Sequence, residues 1–427
     1  MWSLPARLAL GGLCLALAAC TAGDSAEQPA ADDADSGPSR SEPSRDRPRD
    51  SDKPPATTST KAPTTKAPDR PRNQAGVALT CARQQLSGMD RQARAGQLVM
   101  IGVPADSADV PEVAVEAIEE MGIGGVILTG RTAVSLAEVG ELTRKLQALA
   151  ASTESAVRLE VSVDQEGGQV QALSGPGFSP IPSALDQGQL APAELRRSAR
   201  GWGRELSRAG VTLDLAPVVD VVPPGIVNEP IGAYDRQFGR TPGVVATAGA
   251  AFVRGMRAAN VATSIKHFPG LGRASGNTDT SAGVVDTVTT GSDPFLRPFV
   301  AGMRAGSPYV MLSTATYTRI DPDAIAAFSP EIVDTMLRDR LGYRGVAISD
   351  DLGMAQSVVN VPVGRRAVRF VAAGGDVVLT VVPEQAAAMV RALRQRAGAS
   401  VGFARRLDAA AVRVLTRKAR AGLAECR

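Results

Sequence analysis

Eight short apolar runs, each followed by a stretch with helical periodicity, predict an α/β protein built as a (β/α)8 barrel of the TIM type. The runs are continuously apolar rather than alternating, as expected of parallel strands buried on both faces. No Gly-x-Gly-x-x-Gly turn follows the first run, which disfavours the open doubly wound sheet, the other arrangement of such units. The runs occupy 97–103, 124–129, 157–163, 211–218, 261–265, 309–314, 345–349 and 377–382. Residues 77–427, which contain them, are expected to form one barrel domain.

The elements follow in order from the N-terminus. Residues 1–20 read as an export signal, with Arg7 ahead of an apolar run over 8–19 and small residues before Cys20. That run is shorter than the ~20 residues a spanning helix needs. Leu17-Ala18-Ala19-Cys20 looks like a bacterial lipobox, so Cys20 is expected to carry lipid, the alternative being an ordinary cleavable signal. The expected location is extracytoplasmic, anchored to the cell membrane by lipid rather than spanning it. Residues 21–76 lack apolar periodicity and are rich in Ser, Thr, Pro, Ala, Asp and Arg, a composition expected to form a disordered, semi-extended tether.

Within the barrel region the helices carry their own signals. Val139, Leu142, Leu146 and Leu149 fall on one helical face, as do Leu195, Ala199, Trp202 and Leu206. Over 330–341, Ser329 is placed to cap, Pro330 to occupy the first position and Gly342 to end the helix. Gly270, Gly272 and Gly276 follow the fifth strand and read as a flexible loop.

Composition excludes several classes. The 47 basic and 44 acidic residues are spread along the chain and aromatics make up only 4% of it, so neither a basic stripe nor stacking aromatics support nucleic-acid binding. With one histidine and no Cys-x-x-Cys, neither a zinc site nor any other cofactor is expected. Of four cysteines, Cys14 leaves with the signal and Cys20 takes lipid. Cys81 and Cys426 remain at the two ends of the folded region, and in an oxidising compartment they are expected to pair, two free thiols being the alternative.

In such a barrel the working residues lie at the carboxyl ends of the strands. Asp164 ends the third run, Asp220 lies beyond the fourth, Lys266-His267 end the fifth and Asp350-Asp351 the seventh. Charges against buried strand ends are costly unless paired or used. Pairing or helix capping would account for Asp220 and Asp351. Taken together, the set suits recognition of a polyhydroxylated ligand and carboxylate chemistry at an acetal.

The stretches VDQEGGQV (163–170), LDLAPVVDV (213–221), NEPIGAYDRQFG (228–239), IKHFPGLG (265–272) and SPEIVDTMLRDRLGYRGVAISDDLGM (329–354) resemble glycoside hydrolase family 3. The resemblance is to its single-domain β-N-acetylglucosaminidases that act on peptidoglycan fragments. The lipobox, tether and Arg-rich composition look like that family's actinobacterial lipoprotein branch. The resemblance implies that Asp350 is the nucleophile and forms a covalent glycosyl-enzyme. It implies that Asp164, Arg236, Lys266 and His267 bind hydroxyls of the non-reducing sugar, a structural histidine being the other reading of His267.

The sequence also departs from the family. Where the family has Lys-His-Phe-Pro-Gly-His-Gly followed by Asp-Ser-His, this chain has Leu271 for the first loop histidine and Ser281 for the last, the general acid/base. A hydroxyl cannot shuttle a proton near neutral pH as an imidazole does. Three outcomes follow: Asp279 serves as acid/base, Glu229 or bulk water substitutes, or the barrel binds sugar without cleaving it. The expectation is a retaining exo-β-N-acetylglucosaminidase, monomeric and without cofactor, acting on peptidoglycan-derived saccharides. A non-catalytic saccharide-binding lipoprotein and a β-glucosidase of the same family are the alternatives.

Overall fold

The computed structural model describes residues 71–425. The signal, Cys20, most of the expected tether and Cys426 lie outside them. Eight parallel strands close into a barrel in sequence order: β1 Val99–Pro104, β2 Gly125–Thr129, β3 Glu160–Val163, β4 Leu213–Asp214, β5 Ala262–Phe268, β6 Tyr309–Leu312, β7 Val346–Asp351 and β8 Val377–Thr380. β1 pairs with both β2 and β8, which closes the ring. Each strand falls within or overlaps one of the eight apolar runs, and the strand interiors are buried, as the continuous pattern requires. This is a (β/α)8 barrel.

The strands are not equally regular. The fourth run pairs only over Leu213–Asp214, and Val218 rejoins Lys266 through a single bridge. Pro217 between them has no N–H to give to a ladder. The β5–β6 register shifts between Ile265 and Phe268, and the β7–β8 register between Ile348 and Asp351. Both irregularities fall where chemistry-bearing residues leave the barrel wall, the place where bulges re-aim side chains.

The helices bury the faces the periodicity marks. Leu136–Ser152 buries Val139, Leu142 and Leu146 and starts with a capping box between Ser135 and Glu138. Pro192–Arg208 buries Leu195, Ala199, Trp202 and Leu206 behind Pro192 in its first turn. The helix expected over 330–341 runs over Glu331–Arg340 but is wound as a π-helix, with Leu341 N–H reaching back to Met336 O at 3.0 Å. Ser329 Oγ caps it by accepting from Ile332 N–H at 3.2 Å, and Gly342 turns away at φ 67°.

The helix Pro71–Gly88 begins a few residues before the expected boundary at 77 and packs along the last helix, Val401–Arg420. Gln85 donates to Glu425 O at 2.7 Å, so the C-terminal end of the described chain lies against this first helix. Cys81 is buried in that helix. No helix among the described residues is long and apolar enough to cross a membrane.

Candidate active site

The carboxyl ends of β3, β4, β5 and β7 bring the charged residues together. Asp164 leaves β3, and the chain turns at once through the two-stranded ribbon Gln165–Gly167 with Val170–Gln171. Gly167 adopts φ 101°, and a Cβ there would lie 2.2 Å from Pro182 O, so the tight return demands glycine. That turn places Glu166, 3% exposed in its side chain, opposite Lys266 on β5 and Arg236 from the loop after β4.

Four charges interlock there. Lys266 Nζ donates to Asp164 Oδ1 at 2.5 Å and lies 2.7 Å from Glu166 Oε1. Arg236 meets Glu166 with a bidentate fork, Nε to Oε2 at 2.8 Å and Nη2 to Oε1 at 2.7 Å. Its Nη1 donates to Pro230 O at 2.8 Å. Burial alone would push Glu166 up; Arg236 and Lys266 outweigh it and hold the carboxyl down at about 2. Burial would lower Lys266, and the Asp164 and Glu166 carboxylates more than reverse that, so it stays charged. Asp164 keeps 35% of its side chain exposed, which leaves a carboxylate edge open to a ligand.

Glu166 is therefore the hub of the cluster, although nothing in the sequence pattern singles it out beyond its place in the Asp164–Gly168 turn. Asp214 on β4 was equally silent. It is fully buried beneath the cluster, accepts from Gln165 N–H at 3.1 Å and has no partner for Oδ2 among the described residues. Burial raises its carboxyl well above the usual range, which favours the neutral acid.

His267 is 4% exposed and pinned by fully buried Asp220. The carboxylate accepts from Nδ1 at 2.8 Å, from the His267 N–H at 3.1 Å and from the Leu271 N–H at 2.8 Å. This pairing puts a proton on Nδ1 and leaves Nε2 without a hydrogen-bond partner among the described residues. Leu271, in place of the family's loop histidine, is buried, and its carbonyl accepts from Asn228 at 3.0 Å. Asn228 also caps the turn that carries Arg236, accepting from Ile231 and Gly232 N–H. The glycine-rich loop is thus held down at its start: Arg273 bonds Asp293 at 2.7 Å and stacks on Phe295.

Asp350 lies at the end of β7, where its Oδ1 accepts from Asp351 N–H at 2.9 Å. Burial raises its carboxyl; the charges of His267 and Lys266 oppose that, and the charge of Asp279 adds to it. Asp350 thus shares one electrostatic field with His267, Lys266 and Asp279. Asp351 instead accepts three backbone N–H groups, from Gly353, Met354 and Val381, and shapes the loop after β7. Asp279 and Ser281 are exposed on the loop after β5, which touches the loop after β7 through Gln356 N–H to Asp279 O at 3.3 Å. Glu229 is exposed and makes no hydrogen bond among the described residues. No group of three or more His, Cys, Asp or Glu side chains among the described residues is arranged to share a metal ion.

The barrel mouth gathers Asp164, Arg236, Lys266, His267 and Asp350, a set of charges that suits a polyhydroxylated ligand. Residues 92–417 match the model of the glycosyl hydrolase family 3 N-terminal domain, so the chain belongs to that family and is a glycoside hydrolase. It is 34% identical over 315 residues to a beta-hexosaminidase of Xanthomonas oryzae pv. oryzae, covering 70% of this chain and 88% of that one. Among solved structures it is similar to the beta-N-acetylhexosaminidase of Beutenbergia cavernae DSM 12333, with 46% identity, a TM-score of 0.74, and coverage of 77% of this chain and 98% of that one. It is also similar to M tuberculosis LpqI, with 27% identity, a TM-score of 0.67 and coverage of 83% and 97%.

Proposed function

We propose that this glycoside hydrolase is a retaining exo-β-N-acetylglucosaminidase that releases GlcNAc from peptidoglycan fragments, with Asp350 as nucleophile. The observation that carries the reading is the position of Asp350 at the end of β7, in one field with His267, Lys266 and Asp279. The names of the hexosaminidase relatives support the sugar. In the first step the Asp350 carboxylate attacks the anomeric carbon, the bond to the leaving oxygen breaks, and Asp279 supplies that oxygen with a proton. In the second, Asp279 takes a proton from water as the water attacks the same carbon and releases Asp350. Asp164, Lys266 and the free Nε2 of His267 hold sugar hydroxyls. Arg236 has each of its nitrogens on Glu166 or Pro230, so only its remaining N–H groups serve the ligand.

The same reading places the protein outside the cytoplasm as a monomer, attached through lipid on Cys20, with residues 21–70 as tether. Cys81 and Cys426 form a bridge, supported by the Gln85–Glu425 contact that brings the C-terminal end to the helix of Cys81. The test is release of 4-nitrophenol from 4-nitrophenyl β-GlcNAc by wild type, Asp350→Ala and Asp279→Asn, beside release of GlcNAc from a muropeptide. Activity on the aryl glycoside that survives Asp350→Ala unchanged would remove the nucleophile assignment. Turnover of the β-glucoside in preference to the β-GlcNAc compound would replace the substrate.

A further inference from the structure

The face opposite the catalytic mouth carries a cavity of about 480 Å³ with its own charge pattern. Its position follows from the topology, because Gly374-Gly375 line it and immediately precede the amino end of β8. One stripe of the last helix forms the opposite wall. Gly402, Arg405, Arg406, Ala409 and Arg413 recur at three-, four- and seven-residue spacing, so they share one helical face. The small residues leave the space, and the arginines border it.

The guanidiniums outnumber their partners. Arg406 Nη1 pairs with Asp334 at 2.6 Å, and Arg413 Nε pairs with buried Asp376 at 2.7 Å. Asp376 also serves buried Arg338 at 2.5 Å. Arg405 is exposed and has no ion pair or hydrogen bond among the described residues. Three arginines, Arg405, Arg406 and Arg413, line the cavity beside one carboxylate, Asp334, while Asp376 behind the lining is shared by Arg413 and Arg338, which leaves a surplus of two positive charges. The Nη groups of Arg413 and all the donors of Arg405 are unspent. Such forks match the oxygens of a phosphate group.

We propose that this cavity is a binding site for a phosphate ester. A phosphate group carries up to two negative charges, which the surplus balances. The volume lies in the range of small-molecule sites, about 300–1,000 Å³, and so accommodates an esterified polyol in addition to the phosphate. A phospholipid headgroup and a soluble sugar or glycerol phosphate present the same chemistry. The site is separate from the catalytic mouth and does not rest on the substrate assigned there.

The experiment uses the full-length chain with Cys20→Ser, which removes the proposed point of lipid attachment. It is titrated calorimetrically with sn-glycerol 3-phosphate and then mixed with phosphatidylglycerol–phosphatidylcholine vesicles, or with phosphatidylcholine vesicles alone. Saturable binding of glycerol 3-phosphate is expected, weakened about tenfold or more by Arg405→Ala. Gly402→Trp should fill the cavity, and the backbone has room for its Cβ, which would meet nothing nearer than Ser400 Oγ at 3.9 Å. Exposed Arg391, on the preceding helix and outside the cavity, is the control: Arg391→Ala should bind as wild type does. Vesicles containing phosphatidylglycerol that compete with glycerol 3-phosphate assign the site to a lipid headgroup, and failure to compete assigns it to a soluble ester. Absence of saturable binding overturns the proposal. So do equal losses in Arg391→Ala and Arg405→Ala, or wild-type affinity in both Arg405→Ala and Gly402→Trp.

Discussion

The wall formed by Asp164, Glu166, Lys266 and Arg236 and the loop that carries Asp279 and Ser281 belong to the same mouth but are held in opposite ways. In the wall nearly every charged atom has a partner within 2.5–2.8 Å, and Lys266 and Glu166 are almost wholly enclosed. On the loop the side chains of Asp279 and Ser281 are exposed and make no hydrogen bond among the described residues, and backbone contacts alone tie that stretch to the loop after β7. The difference separates two tasks. On the proposed function, buried pairs preorganise recognition of the sugar, whereas delivery of the proton falls to Asp279 on a surface loop.

The comparison breaks most sharply at Asp350. Asp350→Ala should lower kcat on 4-nitrophenyl β-GlcNAc by roughly 10⁴–10⁶-fold, as loss of a covalent nucleophile does. Binding of GlcNAc, followed by calorimetry, should survive because the wall is intact.

Breaking the wall should act on stability instead. Glu166→Gln leaves Lys266 with Asp164 as its one ion-pair partner among the described residues and Arg236 with none, and should cost about 3–5 kcal/mol in denaturant unfolding. The wild-type pH dependence has the matching sign. Glu166 sits at about 2 in the folded chain and near about 4.3 unfolded, so its stabilisation is complete above the unfolded value. It should be lost as pH falls from about 4 through about 2.

The loop should show a smaller, leaving-group-dependent effect. Asp279→Asn should slow cleavage of a GlcNAc disaccharide by about 10²-fold, and the aryl glycoside, which needs less protonation, by less. Azide, a nucleophile that needs no base, should restore part of the second step. Equal losses on both substrates would remove Asp279 as proton donor.

The two regions meet in the acid limb of kcat/KM. As the proposed nucleophile Asp350 must be ionised to attack, and burial together with the Asp279 charge raises its carboxyl against His267 and Lys266. Activity should therefore climb with pH above the ordinary carboxylate range, and Asp279→Asn should move that limb to lower pH. The smallest effect is on the melting temperature. Because Asp350 is raised in the folded chain, stability falls as pH rises through that window. Asp350→Asn should accordingly melt about 1–3 °C higher near neutral pH.

Much of this was legible in the sequence, for identifiable reasons. The eight strands stood out because each is a run of apolar residues buried on both faces, a local signal. Asp164, Lys266, His267 and Asp350 stood out because charge at the end of such a run is conspicuous. Glu166 did not, since its importance comes from pairing with Arg236 seventy residues away, which no local pattern records. Asp214 looked like part of an apolar strand, and its burial beneath the cluster emerges only when β4 and β5 are side by side. The glycines after β5 suggested freedom. In the fold, a Cβ at Gly272 would lie 2.1 Å from Val221 O, so that glycine marks close packing.

The central claim is that Asp350 forms a covalent bond to the sugar, and intact-mass measurement tests it most directly. Asp279→Asn, incubated with 4-nitrophenyl β-GlcNAc, should accumulate a single glycosyl adduct, because release of the aryl group needs little acid help while attack by water lacks its base. Peptide mapping should place that adduct on Asp350, and Asp350→Ala should carry none. Brisk release of 4-nitrophenol with no adduct at any time point, or an adduct on another residue, would contradict the account.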